Sequence, residues 1–152
     1  NGRDNALRKL RDKRFDKVVR DAIAADKPLS PRDIEQISNR YKDRLLKFRG
    51  DTIARTESIT ALRAGRHEGF EQLVDSGQVG PDQITRVWDA TGDSRTREDH
   101  AQMDGQEVVG FDQPFVAPDG SLMMFPGDTS LGAPAEQTIQ CRCFERIRVR
   151  YI

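Results

Sequence analysis

Apolar positions in the first part of the chain recur at helical spacing. Leu7, Leu10, Phe15, Val18, Val19, Ala22 and Ile23 form one stripe, which predicts an amphipathic helix over residues 4–25. Arg8, Lys9, Arg11, Lys13, Arg14, Lys17 and Arg20 fill its other faces, and Asp26-Lys27-Pro28-Leu29 breaks it. Ser30 is placed to cap a second helix, with Pro31 at the first helical position and Asp33 near the positive end of the dipole. Ile34, Ile37, Tyr41, Leu45 and Phe48 are its stripe, and Gly50 is expected to close it. These two helices are expected to pair as an antiparallel hairpin. A third helix is predicted over residues 51–76, with Ile53, Ile59, Leu62, Phe70, Leu73 and Val74 on its packed face. Ala54, Ala61, Ala64, Gly65 and Gly69 keep part of it small enough for close approach. Gly77 ends it, and Gly80-Pro81 marks a turn.

After Pro81 the period changes. Ile84–Trp88 reads as a strand, and Asp93 or Ser94 can cap a short helix running to about Met103. Asp104-Gly105 is a turn. Gln106–Val109, Pro114–Val116 and Leu122–Phe125 are short strands, the last two joined through Pro118-Asp119-Gly120. Residues 126–138 read as a Gly/Pro/Ser loop. A final strand is expected over Cys143–Tyr151, where Phe144, Ile147, Val149 and Tyr151 alternate with Arg146, Arg148 and Arg150, with a bulge near Glu145. Helices followed by strands predict an α+β fold. It comprises an N-terminal helical arm or hairpin, then a small body of one long helix, one short helix and a short, mainly antiparallel sheet. The domains are a basic arm over residues 1–49 and a body over residues 50–152.

Charge supports that division. The 152 residues carry no net charge, with 25 Lys/Arg against 25 Asp/Glu. Fifteen of the basic residues and eight of the acidic ones fall in residues 1–50, and no lysine follows Lys47. A basic arm on an acidic body suggests surfaces for different partners. Arg8, Lys9, Arg11, Lys13, Arg14, Lys17 and Arg20 are candidates for contact with DNA or an acidic protein partner. The plainer reading is a solvated helix face. The chain starts at Asn1 rather than Met, as a fragment or processed product would. No secretory signal and no apolar run long enough to span a bilayer is visible, so no membrane partner is expected.

Candidate chemistry is concentrated in three segments. Arg55 and Glu57 flank Thr56 in the third helix, as parts of a polar network or as ordinary helix-end charges. Trp88 to His100 leads from a strand through a turn into a helix that carries the imidazole, suited to metal binding, to acid–base work or to tying the helix to a loop. Cys141 and Cys143 are the only cysteines. A disulfide across one residue is strained, but in an extended segment both thiols share a face about 6–7 Å apart between alpha carbons. With His100 they supply three soft donors, and Asp93, Asp99, Asp104 or His67 is a candidate fourth ligand for zinc. The commoner outcome for such thiols is burial in a core. No glycine-rich phosphate loop and no nucleophile elbow occurs. A metal-dependent nuclease or toxin-system enzyme would have to use His100 with Glu98, Asp99 and Asp104.

Taken in order, Ala54-Arg55-Thr56-Glu57, Trp88, Asp93-Ser94-Arg95-Thr96-Arg97-Glu98-Asp99-His100, Gly105, Pro126-Gly127-Asp128 and Cys141-Arg142-Cys143 resemble the Mu F-like head morphogenesis domain, the group of SPP1-type minor head proteins. The resemblance covers roughly residues 50–150. The family pattern usually has Asn before the first cysteine, where this chain has Gln140. The resemblance implies a minor head protein of few copies in the virion interior, made in the host cytoplasm. It would bind portal, capsid or scaffold proteins and packaged double-stranded DNA, and would not act as an enzyme. It also leads us to expect His100, Cys141 and Cys143 at one clamp, with Arg55, Glu57, Arg95, Arg97 and Asp128 bonding around it. A zinc-stabilised DNA-binding module is the remaining alternative.

Overall fold

Asp12 decides where the first helix begins. Its carboxylate accepts from the Arg14 N–H (3.2 Å), and its backbone is extended. In this computed structural model, which describes residues 10–150, a 3-10 turn at Lys13–Phe15 leads into α1 (Asp16–Ala24). The single helix expected over 4–25 is therefore interrupted at Arg11 and Asp12. Leu7, Arg8 and Lys9 lie outside the described residues, as does Tyr151. Asp26, at φ 50°, ends α1, with Lys27 N–H closing on the Ala22 carbonyl.

The next helix starts as its sequence dictates. Ser30 Oγ accepts the Asp33 N–H (3.1 Å), and α2 runs from Pro31 to Asp75. Gly50 does not close it. A glycine inside a helix costs about 1 kcal/mol, which the uninterrupted ladder on both sides outweighs. The second and third predicted helices are thus one element. Its real end is Gly77, at φ 72°, where the Gln78 N–H bonds the Leu73 carbonyl. Two compact units, Asn1–Asp51 and Thr52–Ile152, divide within α2. In the first unit, Arg44 donates to the Arg11 carbonyl (2.8 Å), and Phe15 lines a shallow cavity with Gln36, Asn39, Arg40 and Asp43.

The second unit is built around β1 (Ile84–Asp89), the middle strand of a three-stranded antiparallel sheet. It is flanked by β2 (Glu107–Val109) and β5 (Phe144–Val149). Between β1 and β2 lies α3 (Glu98–Gln102). Arg97, not Asp93 or Ser94, stands at the head of that helix, because Asp93 is committed to a turn in which it accepts from Arg95 N (2.9 Å). β3 (Phe115–Val116) and β4 (Leu122–Met123) form a small hairpin, and α4 (Ala135–Thr138) is a helical turn inside the expected loop. Trp88, Met103, Phe115, Ala117, Met123, Cys141 and Cys143 make the core.

Two expectations about faces are corrected. β5 pairs with β1 from Phe144↔Asp89 to Val149↔Ile84 without a bulge. Consequently Glu145, not Phe144, points inward with Ile147 and Val149. In α2 the apolar stripe is only partly packed: Leu62 is 75% exposed and Ile53 50%, while Ile59, Phe70, Leu73 and Val74 are half-buried. The buried residues of the helix are polar, Arg63 and His67, and Thr52 and Thr56 lie along the same face. These side chains bond the segment from Gln140 to Glu145. Arg63 and Arg66 also occupy the Cys143 and Glu145 carbonyls on the open edge of β5, which blunts an otherwise unpaired strand.

Candidate metal centre and its supports

Three side chains from two separate parts of the chain converge in the core. His100 comes from α3, and Cys141 and Cys143 from the approach to β5. Their donor atoms lie within 4.8 Å of one another, and all three residues are buried. His100 Nδ1 is 3.3 Å from Cys143 Sγ and 3.7 Å from Cys141 Sγ. The bend that presents the thiols begins at Gln140, whose φ of 53° is in the left-handed region. Its N–H is held by Thr56 Oγ1 (3.1 Å) and its side-chain amide by Thr52 Oγ1 (2.9 Å).

Charge around the thiols is arranged for sulfur anions. A hydrogen bond from Cys143 lowers the Cys141 thiol's pKa, opposed by burial and assisted by His100 and Arg63. Cys143 moves the other way, because it is the donor to Cys141 and is buried. Of the two, Cys141 is therefore the thiol that ionises more readily. Arg63 reaches in from α2, donating to the carbonyls of Pro126 (3.0 Å), Cys141 (3.0 Å) and Cys143. Burial lowers its pKa, and the two sulfurs push it back up. Gly127, at φ 87°, permits that reach, since a Cβ there would lie 3.1 Å from Arg63 Nη1.

The indole N–H of Trp88 is buried without a hydrogen-bond partner among the described residues, and the ring stands edge-on to His100, centroids 5.3 Å apart. The indole only partly offsets the rise that the bond to Cys141 and burial impose on the Cys143 thiol. An orphan donor, a buried guanidinium and two thiols beside an imidazole fit a soft divalent ion bound through N and S. None of the four fourth-ligand candidates joins the cluster. Asp93 is bidentate to Arg142, Asp104 accepts from Ala90 N, Asp99 accepts from Gln137, and His67 faces Glu145. A cavity of about 10 Å³ touches both His100 and Cys143.

The other expected site residues are scattered. Arg97 does bond the Ile139 carbonyl beside the clamp. Arg95 is exposed and only grazes Asp93 (3.5 Å). Asp128 is buried, but it organises its own loop, accepting from Met124 N, Ser130 N and Ser130 Oγ at 2.8 Å each. Arg55 and Glu57 are exposed and make no side-chain hydrogen bond among the described residues, so the junction does not include them. The helix face through Thr56 and Arg63 takes that place. In the arm, Arg11, Lys13, Arg14, Lys17 and Arg20 are all exposed; Arg14 pairs with Asp12 (2.5 Å) and Arg11 with Asp16 (3.1 Å). Arg8 and Lys9 fall outside the described residues.

Sequence reasoning also missed a second buried polar group. Arg86 is fully buried and donates to the carbonyls of Gly110 (2.6 Å), Met124 (2.6 Å) and Gln113, and to Glu145 Oε1 (3.1 Å). Burial lowers its pKa, and Glu145 opposes that. His67 Nδ1 stands 3.4 Å from both Glu145 oxygens, and its ring packs against Phe111 and Phe125.

The fold and site define a small α+β module whose last strand is fastened to an internal helix by a buried thiol–imidazole centre. The family described as Phage Mu protein F like protein matches residues 16–145, and the chain belongs to that family. The match starts at Asp16, well before the motifs first read near residue 50, and membership places the chain among phage head and morphogenesis proteins. No curated protein and no solved structure matches the chain. No helix among the described residues is long and apolar enough to cross a membrane.

Proposed function

We propose that this chain is a minor head protein that works by binding, not turnover, in the virion interior after assembly in the host cytoplasm. Its body docks on the portal or a neighbouring capsid or scaffold protein. Its basic arm contacts packaged double-stranded DNA or an acidic protein rim. The observation that carries this reading is the family match over residues 16–145. The burial of His100, Cys141 and Cys143 (1%, 3% and 3% exposed) supports it, because a centre so enclosed offers a substrate almost no surface. The test is co-expression with the portal protein of the same phage. Retention of the chain on tagged portal through size exclusion is the expected result, and its absence at micromolar concentrations overturns the docking assignment.

DNA contact by exposed Lys13, Lys17 and Arg20 would be independent of sequence and would weaken steeply with salt. A gel-shift series from low to physiological salt reads this directly; no retardation at low salt assigns the arm to protein instead. The second inference is that the clamp holds zinc, favoured by the three donor atoms within 4.8 Å of one another. Zinc at one equivalent in protein purified without chelator is expected, and only trace zinc after reconstitution under reducing conditions removes that inference.

A further inference from the structure

The imidazole at the clamp has a partner on its far side. His100 Nε2 lies 2.9 Å from Gln137 Oε1, and Gln137 is only 2% exposed. The Gln137 amide nitrogen is itself gripped twice, by Asp119 Oδ2 (2.7 Å) and Asp99 Oδ2 (2.8 Å). We propose that Gln137, locked by Asp99 and Asp119, is a positioning residue that fixes His100 in the Nε2–H form and aims its Nδ1 lone pair at Cys141 and Cys143. The metal-donor role of Nδ1 rests on the zinc reading above; the proton assignment does not.

The argument is a count of donors and acceptors. A glutamine amide has one oxygen that only accepts and one nitrogen with two hydrogens that only donate. An ionised carboxylate only accepts, so two carboxylates within 2.8 Å demand both amide hydrogens. Exchanging the amide's oxygen and nitrogen would set its oxygen against two anions in a buried place. The oxygen therefore faces His100, and being an acceptor it requires a proton on Nε2. In a neutral imidazole that leaves Nδ1 bare, 3.3 Å from Cys143 Sγ and 3.7 Å from Cys141 Sγ. Metal-binding histidines commonly donate their second N–H to such an outer partner, which sets both ring orientation and tautomer. Here that partner is an amide whose direction two acids enforce.

The tautomer is measured in metal-free protein by two-bond ¹⁵N–¹H correlation of the histidine rings. The two histidines are told apart with a His67→Gln variant. A protonated Nε2 is expected, and Nδ1 is expected to shift on zinc addition. A bare Nε2 overturns the relay whatever the metal does. Zinc affinity is then compared by competition with a chromophoric chelator. Gln137→Met should weaken it about 10–100-fold. Gln137→Glu combined with Asp99→Asn and Asp119→Asn inverts the polarity of the relay while keeping an acceptor at Nε2, and should restore most of the loss. Unchanged affinity in Gln137→Met, or no recovery in the triple variant, overturns the positioning role. Failure of the wild-type protein to bind zinc while Nε2 stays protonated overturns the zinc reading instead.

Discussion

Replacing Glu145 by Gln tests the energetics of the second buried group. The substitution keeps size and leaves an acceptor near Arg86, but removes the only carboxylate among the described residues within 4 Å of that fully buried guanidinium. At the observed 3.1 Å the attraction amounts to about 5 kcal/mol with an effective dielectric near 20. The amide recovers part of this, and breaking a buried pair from one side typically costs about 3–5 kcal/mol. In urea, with a slope of about 2 kcal/mol per molar, the midpoint should fall by about 2 M. Arg86→Met should be at least as harmful, since the Gly110, Met124 and Gln113 carbonyls also lose their donor. The double variant Arg86→Met/Glu145→Leu should be less destabilised than the sum of its singles, because neither charge is then stranded. A Glu145→Gln midpoint within about 0.5 M of wild type, at unchanged slope, would refute the claim that this charge is compensated chiefly by Glu145.

Gly127→Ala forces a side chain into a left-handed backbone and against Arg63, so thermal unfolding should report a loss of about 1–2 kcal/mol. Cys141 and Cys143 are both buried, so a thiol reagent such as DTNB should titrate neither on the folding timescale of the native protein and both after urea is added. An immediate full reaction under native conditions contradicts the closed clamp. The hydrogen bond from Arg142 holds the Asp93 carboxyl well below the usual carboxylate range. A depressed acid contributes stability that is present above its ordinary pKa of about 4 and fades as the pH falls below it. The difference in urea midpoint between wild type and Asp93→Asn should therefore shrink from pH 7 to pH 3, and a gap that widens on acidification would contradict the pairing.

Local signals in the chain located most elements. The Ser30 cap, the Gly77 stop and the Ile84–Trp88 strand stand where hydrogen bonding and backbone freedom require them. Gly50 misled because glycine marks a helix end only when the chain also turns there, and here the ladder continues. The convergence of His100 with Cys141 and Cys143 was legible from residue chemistry together with motif order. Its supports were not. Arg63 and Gln137 are ordinary polar residues at 63 and 137, and only the tertiary fold turns them toward the thiols and the imidazole. Arg86 and Glu145 each break the apolar alternation of a strand, so each reads as a surface position until the two are seen to face one another.

The centre strand's two neighbours have very different histories on the ribosome. β2 follows β1 within about twenty residues, whereas β5 is separated from it by more than fifty. Until the stretch beyond Gln140 emerges, Arg86 lacks its counter-charge, His100 faces no sulfur and Arg63 has no Cys141 or Cys143 carbonyl to hold. Those absences all fall in one interior. The interior of this unit is thus closed by its latest segment, which brings the sulfurs, the acid opposite Arg86 and the carbonyls that Arg63 holds to residues placed long before it in the chain.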